Sequence, residues 1–489
     1  MIRGVLFMRQ NIPEGIIAGD PMIRSVCAKH GLAILYGDPQ VWYDGTVPAN
    51  VSQSVTDLKG VLAALAAKSG YSELANVPWL PIGESFSIAM VQNLRDATPS
   101  RTLAAIFVND IDLDPSFGTD RTVPTLAIQS TAGELAGQNT VNLTTFWSDP
   151  TQTWGQRYHS IAAVRGQNPN WPLTVFVEPA GSHFDTSDWM VKAIATYIDL
   201  VATARLDPAG SNNLVPVQAS SSGVLADLPI PGVTDTSIQP ASTASNLAKP
   251  WFFNATNAAL AQGRANSNWN AATQIPLVAN GAHSLVTPFD SNNAYVTSVA
   301  VSSSGDFTLN PILLSTIPAG FVDAGAALAN SGNPPVIKWM TGPFAPEGLN
   351  AWSVDLSRWV PNWILSPYFS VTVNGNNSVR YSVQPFLVNI ALNTAGTGQA
   401  ITFGSIPSSI AGNHSNPIAL YATSTSGAAV SFGVEYGPAV VENGQLVLTP
   451  IPPRSTYPIQ IKLNGWQWGS NMSPLYGYGY NSMIINITQ

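Results

Sequence analysis

Apolar residues in the first 205 positions form short continuous runs that alternate with stretches of helical spacing. Continuous apolar runs are typical of strands buried on both faces of a parallel sheet, whereas half-exposed strands alternate apolar with polar residues. The alternation predicts a doubly wound α/β domain over residues 1–205. The apolar runs occupy residues 5–8, 32–36, 77–82, 103–108, 125–128 and 173–177.

The predicted helices have readable ends. Asp20 can cap one helix with Pro21 at its first position, and Gly31 can close it. Thr56 can cap a second helix that ends at Gly70. The second helix is expected to bury Leu58, Val61, Leu62 and Leu65, and the last helix of the domain Met190, Ile194, Ile198 and Val201.

The pattern changes after residue 205. Residues 206–250 are rich in Ser, Pro, Ala and Gly, which predicts a linker. From residue 251 onward, apolar and polar residues alternate with period two, and Asn-Gly turns recur. We therefore expect a β-rich domain of unknown function at 251–395 and a further β-sandwich at 398–489.

Composition narrows the class of protein. Charged residues make up 10% of the chain and the net charge is −8, so we expect no nucleic-acid partner. The lone Cys27 excludes an intramolecular disulfide and a cysteine-ligated metal cluster. No apolar run reaches the roughly 18 residues of a membrane span, and no signal peptide is visible. Low charge with abundant Gly and Pro predicts a secreted or cell-surface protein, and because a core strand begins almost at Met1, we expect further residues to precede it.

The candidate chemistry begins at residues 83–87, Gly-Glu-Ser-Phe-Ser, between the run 77–82 and a helical stretch. A nucleophilic serine at a sharp strand-to-helix turn needs small residues two positions before and after it. Gly83 meets that need, and Ser87 replaces the usual second glycine. The pattern makes Ser85 the candidate nucleophile, although a serine in this place can also serve as a simple helix cap.

A tetrahedral intermediate on Ser85 needs hydrogen-bond donors for its oxyanion. The backbone N–H of Phe86 lies at the start of the predicted helix and is one candidate donor. The second is expected from the loop after the first strand, at Gln10 or Asn11.

The remaining candidate residues follow later strands in the order nucleophile, acid, base. Glu134 follows the run 125–128, and His183 follows the run 173–177, so both are expected at the same edge of the sheet as Ser85. His183 can take the proton of Ser85, and Glu134 can orient the imidazole. Asp110 and Asp112, after the preceding strand, are the reserve candidates for the acid.

Residues 4–203 resemble bacterial α/β-hydrolase-fold proteins of the dienelactone-hydrolase and carbohydrate-esterase type. The similarity lies in residues 5–7 with the following loop, 81–85, 124–126 leading to 133–134, and 181–185. It implies a serine nucleophile at Ser85, an acid at Glu134 and a base at His183. We expect no metal and no cofactor. Ser87 departs from the family pattern, and the strands that normally precede residues 5–8 are absent.

Residues from about 398 to 463 resemble the immunoglobulin-like modules of large bacterial secreted and surface proteins. The similarity lies in residues 399–407, 426–432 and 437–440. Such modules usually act as spacers or adhesion units, so we expect 398–489 to have no catalytic role.

The sequence thus predicts an extracellular serine hydrolase, a carboxylesterase that acts on small or carbohydrate-linked acyl esters through an acyl-enzyme. The expected partner is a small-molecule or polysaccharide ester. The alternative is a non-catalytic surface or adhesion protein that carries a degenerate hydrolase domain. The order of Ser85, Glu134 and His183 favours the enzyme, whereas the altered turn at Ser87 and the absent strands before residues 5–8 favour the alternative.

Overall fold

The computed structural model describes the chain in several stretches. These are residues 1–9, 12–37, 51–109, 121–130, 153–179, 181, 183–184, 186–230, 232–266, 271–279, 295–299, 302, 305–317, 323–342, 344–355, 368–389, 395–469 and 474–489.

A fully parallel six-stranded sheet forms the centre of the first domain, with strand order β2-β1-β3-β4-β5-β6. Every residue of β1 and of β3 to β6 is buried, as the continuous apolar runs predict. The strands are β1 (Gly4–Arg9), β2 (Leu32–Gly37), β3 (Trp79–Glu84), β4 (Ala105–Val108), β5 (Thr125–Ser130) and β6 (Leu173–Glu178).

The helices of this domain confirm one predicted cap and correct another. Asp20 accepts a hydrogen bond from the Met22 N–H at 2.7 Å, and Gly31 closes the same helix with φ of 68°. The next helix begins well before Thr56, so Thr56 is not its cap, and Leu65 is 38% exposed. No helix within the described stretches is long and apolar enough to cross a membrane. The helices are α1 (Glu14–Gly19), α2 (Pro21–His30), α3 (Val51–Ser69), α4 (Ile88–Ala97), α5 (Thr153–Gln167), α6 (Asp188–Arg205) and α7 (Ala255–Ala265).

The segment that follows α6 packs onto the first domain. Leu228 and Ile230 are buried in its hydrophobic core, as are Ala258, Ala261 and Ala265 of α7. The Thr174 hydroxyl in β6 donates a hydrogen bond to the carbonyl oxygen of Trp251 at 2.7 Å. The packing of the first domain therefore extends to residue 265, beyond the expected boundary at 205. A small antiparallel sheet in this segment contains β7 (Val224–Leu225), β8 (Gln239–Pro240) and β9 (Trp251–Phe252).

The middle region is built from short strands around an aromatic core that includes Phe369 and Phe386. Among its described strands, the pairings are antiparallel except for β11 with β18. The sheets are β10-β13, β11-β18-β17-β14 and β12-β16-β15. The strands are β10 (Pro276–Val278), β11 (Tyr295–Ser298), β12 (Asp306–Thr308), β13 (Pro311–Leu313), β14 (Val336–Trp339), β15 (Phe344–Gly348), β16 (Ala351–Val354), β17 (Tyr368–Val373) and β18 (Ser382–Asn389).

The C-terminal region has sandwich-like antiparallel sheets and its own core around Ile461, Leu463 and Ile485. Its sheets are β19-β22, β20-β27-β26-β23 and β21-β25-β24, with β20 parallel to β27. The strands are β19 (Ile401–Phe403), β20 (Ser409–Ala411), β21 (Ile418–Ala419), β22 (Ala422–Ser424), β23 (Ser431–Tyr436), β24 (Ala439–Glu442), β25 (Gln445–Leu448), β26 (Ile459–Gln467) and β27 (Gly479–Thr488).

Two tryptophans join the C-terminal region to the middle one. Trp466 and Trp468 are buried and belong to the aromatic core of the middle region, although they stand at the end of β26. The C-terminal region is therefore packed against its neighbour.

Candidate functional site

The carboxyl end of the parallel sheet contains a reversal of strand order. Strand β1 lies between β2 and β3. The chain adds β2 on one side of β1 and then adds β3 to β6, in order, on the other side. In open α/β sheets, ligands bind at the carboxyl ends of the strands beside such a reversal. We call the carboxyl ends of β1 and of β3 to β6, with the loops that leave them, the site edge.

Ser85 has a left-handed backbone conformation at the site edge. Its φ is 45°, and it begins the short 3-10 turn Ser85–Ser87 that connects β3 to α4. Positive φ is uncommon for a residue other than glycine, because the Cβ atom then crowds the backbone. Strained residues of this kind cluster at functional sites, and a sharp strand-to-helix turn presents a nucleophile beyond the end of a sheet. The structure therefore has the sharp turn at Ser85 that the sequence predicts.

Gly83 and Ser87, the small residues on either side of Ser85, are each required by a different contact. A Cβ atom on Gly83 would lie 2.7 Å from the Ser87 carbonyl oxygen and 2.7 Å from Cγ2 of Val91, so a larger residue would displace α4. Ser87 is fully buried, and its hydroxyl donates a hydrogen bond to the Arg9 carbonyl oxygen at 3.1 Å. Ser87 thus ties the turn to the end of β1, which a glycine in its place could not do.

A buried carboxylate connects the loop after β1 to the end of β3. Oε1 of Glu14 accepts a hydrogen bond from the Glu84 N–H at 3.0 Å, and its Oε2 accepts one from the Ile12 N–H at 3.1 Å. Because a buried N–H without an acceptor costs free energy, these bonds stabilise both segments. Glu14 therefore fixes the backbone immediately before Ser85.

His183 lies in the turn between β6 and α6, and its imidazole faces Glu84. Nε2 of His183 is 3.3 Å from Oε1 of Glu84, and both side chains are buried. A neighbouring carboxylate can orient an imidazole and set which ring nitrogen carries the proton. Glu84 stands directly before Ser85 and is not among the site residues predicted from the sequence.

The middle β region contacts the same turn. The ring of Phe184 lies edge-on to His183, with centroids 4.7 Å apart, and 5.4 Å from the ring of Tyr368 in β17. Phe184 and Tyr368 form a small buried cluster with Ile12 and Met340. The middle region therefore supports two loops of the site edge.

A buried ion pair supports the start of the His183 turn. Glu178, the last residue of β6, pairs with Arg264 of α7 and accepts a hydrogen bond from the Ser187 hydroxyl at 3.0 Å. Burial raises the pKa of the Glu178 carboxyl above its usual value, although Arg264 and Ser187 act in the opposite direction. Ser187 also caps α6 by accepting a hydrogen bond from the Met190 N–H. Both ends of the turn are thus fixed.

The predicted site residues divide into two groups. Ser85, Phe86 and His183 lie at the site edge, and the backbone of Phe86 is within the turn that leads into α4. Among the described residues, no hydrogen bond joins Ser85 to His183. The other predicted residues fall outside the described stretches: Gln10, Asn11, Asp110, Asp112 and Glu134.

A cleft of about 630 Å³ lies elsewhere, between the end of α3 and the C-terminal region. Its lining includes Leu65, Lys68, Tyr436 and Ile459, and the described residues that line it include no His, Asp or Glu. None of these lining residues lies at the site edge, so we do not associate the cleft with the chemistry there.

No protein-family model and no curated protein matches this chain. Among solved structures, it is similar to human protocadherin-24 EC1-2, at 12% identity over 40% of this chain and 92% of that one, with a TM-score of 0.16. It is also similar to Drosophila N-cadherin EC1-4, at 11% identity over 44% of this chain and 51% of that one, with a TM-score of 0.14. A third similar structure is the Ig1-2 module of the Drosophila receptor protein tyrosine phosphatase DLAR, at 10% identity over 39% of this chain and 93% of that one, with a TM-score of 0.16. Scores this low carry no argument about fold or function.

Proposed function

We propose that this chain is a serine hydrolase of the α/β-hydrolase fold, a secreted or surface carboxylesterase in which Ser85 is the nucleophile. The observation that carries the proposal is the positive φ of Ser85 at a strand-to-helix turn beside the reversal of strand order. His183 is the base, since it is the histidine at the same edge of the sheet. Glu134 remains the proposed acid, because it follows β5.

The proposed reaction has two steps. The Ser85 hydroxyl attacks the ester carbonyl carbon while His183 accepts its proton, and the oxyanion is stabilised by the Phe86 N–H and a donor from Gln10 or Asn11. When the intermediate collapses, His183 returns the proton to the departing alcohol, which leaves an acyl-enzyme. Water then attacks the acyl carbon with His183 as base, and the acid is released.

The choice of ester rests on the sequence resemblance to carbohydrate esterases. We propose acyl esters of small alcohols or of carbohydrates as the substrate class. The fold itself hosts many reactions and does not select among acyl groups.

Replacement of Ser85 tests the proposal directly. We expect Ser85→Ala to lower turnover of a short-chain nitrophenyl ester by at least about 10³-fold while the melting temperature changes little. Ser72 is exposed, so Ser72→Ala provides the matched control and should retain full activity. Undiminished turnover in Ser85→Ala would remove the assignment, and an inactive natural chain would favour the non-catalytic surface protein.

A further inference from the structure

Asn109 joins the ends of three strands at the site edge. It follows β4, and its backbone N–H donates a hydrogen bond to the Ile128 carbonyl oxygen at 2.8 Å. Its side-chain oxygen accepts a hydrogen bond from the Ser130 N–H at 2.9 Å, and its side-chain nitrogen donates to the His183 carbonyl oxygen at 2.5 Å. A single side chain therefore connects β4, the end of β5 and the turn after β6.

The chemistry of the partners fixes the orientation of this amide. The Ser130 N–H can only donate, so it must face the amide oxygen, and the His183 carbonyl can only accept, so it must face the amide nitrogen. Asn109 is completely buried, so water cannot replace these bonds if the side chain is removed.

The backbone of Asn109 also limits which residues can take its place. Its φ is 55°, in the left-handed region, which asparagine adopts more readily than most residues other than glycine. Glycine would keep this conformation but lose both side-chain bonds. Aspartate would keep an acceptor for Ser130 but, when ionised, would have no donor for His183.

We propose that Asn109 is a positioning residue that holds the main chain of His183 at the site edge, so that the imidazole can take the proton of Ser85. This inference rests on the proposed function. Displacement of a catalytic group by about 1 Å can lower turnover about 100-fold. Glu84 faces the imidazole, Glu178 and Ser187 act on the ends of the turn, and Tyr368 packs against Phe184. Asn109 acts on the backbone of His183 itself.

The test compares the reaction of His183 with diethyl pyrocarbonate in the full-length chain and in Asn109→Gly, measured by mass spectrometry of the modified peptides. His159 is exposed and serves as the internal reference. Asn443→Gly is the matched control, because Asn443 also has positive φ, at 50°, but lies in an exposed turn. We expect the rate at His183 relative to His159 to rise at least fivefold in Asn109→Gly and to stay unchanged in Asn443→Gly.

Ester turnover in the same variants separates positioning from general stability. Asn109→Gly should lower kcat about 10- to 100-fold with KM within about twofold, since the substrate contacts are intact. Should Asn109→Gly not fold, Asn109→Asp is expected to give the same rise in His183 reactivity. An unchanged His183 rate in the folded variant overturns the proposal, as does a raised rate with undiminished kcat. If the natural chain has no esterase activity, the proposed function fails, while the modification rates still decide whether Asn109 holds His183.

Discussion

The first domain meets the middle region through an apolar cluster and the C-terminal region through main-chain hydrogen bonds. An exposed ion pair of Lys338 with Asp188 also joins it to the middle region. At the site edge, Phe184 and Ile12 pack against Met340 and Tyr368 of the middle region, and all four side chains are buried. This contact is apolar, and one of its members is the neighbour of His183. We therefore expect its disruption to change the chemistry as well as the stability.

The contact with the C-terminal region is polar and involves the main chain. The Thr456 N–H donates a hydrogen bond to the Lys68 carbonyl oxygen at 2.9 Å, and its hydroxyl donates one to the Ala67 carbonyl oxygen at 3.1 Å. The last carbonyls of a helix have no partner within it, so Thr456 completes the end of α3 from another domain. None of these groups belongs to the site edge, and we expect this contact to affect stability alone.

Of the changes that test this comparison, Glu84→Gln at the site edge is expected to have the largest effect. This change keeps the shape of the side chain but removes the carboxyl group that faces His183. Because a small displacement of a catalytic group can lower turnover about 100-fold, kcat of ester hydrolysis should fall about 10- to 100-fold. The matched control is Glu435→Gln, which breaks the pair with Lys462 in the C-terminal region and should leave kcat unchanged. Equal kcat in Glu84→Gln and the natural chain would exclude Glu84 from the chemistry.

Removal of Tyr368 should have the next largest effect. Tyr368→Ala leaves a cavity beside Phe184, so we expect the free energy of unfolding to fall by about 3 kcal/mol. Because the turn that contains His183 then loses the support of Tyr368, we expect kcat/KM to fall about tenfold. Phe432→Ala removes an aromatic side chain from the C-terminal core and should leave kcat/KM within about twofold. If both variants lose activity equally, the contact with the middle region has no special effect on the site edge.

Thr456→Val should change stability without changing turnover. The variant loses the hydroxyl bond to Ala67 and keeps the main-chain bond to Lys68. We expect the free energy of unfolding, measured with urea, to fall by about 1 kcal/mol and kcat to stay within about twofold. A loss of activity as large as that of Tyr368→Ala would show that the C-terminal region also acts on the site.

Cys27 provides the smallest expected signal and lies in neither contact. Burial raises the pKa of its thiol to about 12, so at pH 8.5 the folded chain should react with iodoacetamide at least about 100-fold more slowly than an exposed cysteine. The unfolded chain can ionise near pH 9.0, so this group's contribution to stability is present below that pH and is lost as the pH rises toward 12. Rapid alkylation of the folded chain at pH 8.5 would contradict the packing of α2.

The strands of the first domain are predictable because burial on both faces requires continuous apolar runs. The turn at Ser85 is predictable for a similar reason, since its geometry admits only small flanking residues such as Gly83. The helix ends are less predictable. Helix α3 begins five residues before the potential cap at Thr56, because tertiary packing outweighs local capping preference.

The contacts that hold His183 are not predictable from the sequence alone. Asn109 and His183 are 74 positions apart, and nothing local to either residue indicates the other. Glu84 carries a weak signal, because a charged residue in an otherwise buried strand needs a partner. The segment after α6 has a linker-like composition, yet Leu228 and Ile230 are spaced for burial, and a few apolar residues suffice to hold it on the first domain.

Reaction with a fluorophosphonate probe tests most directly whether Ser85 is an activated nucleophile, because such probes label an activated serine and ignore ordinary hydroxyls. We expect one label per chain at neutral pH, located at Ser85 by peptide mapping, absent from Ser85→Ala and slower in Glu84→Gln. A folded chain that takes up no label, or takes it up at another residue, would contradict the account.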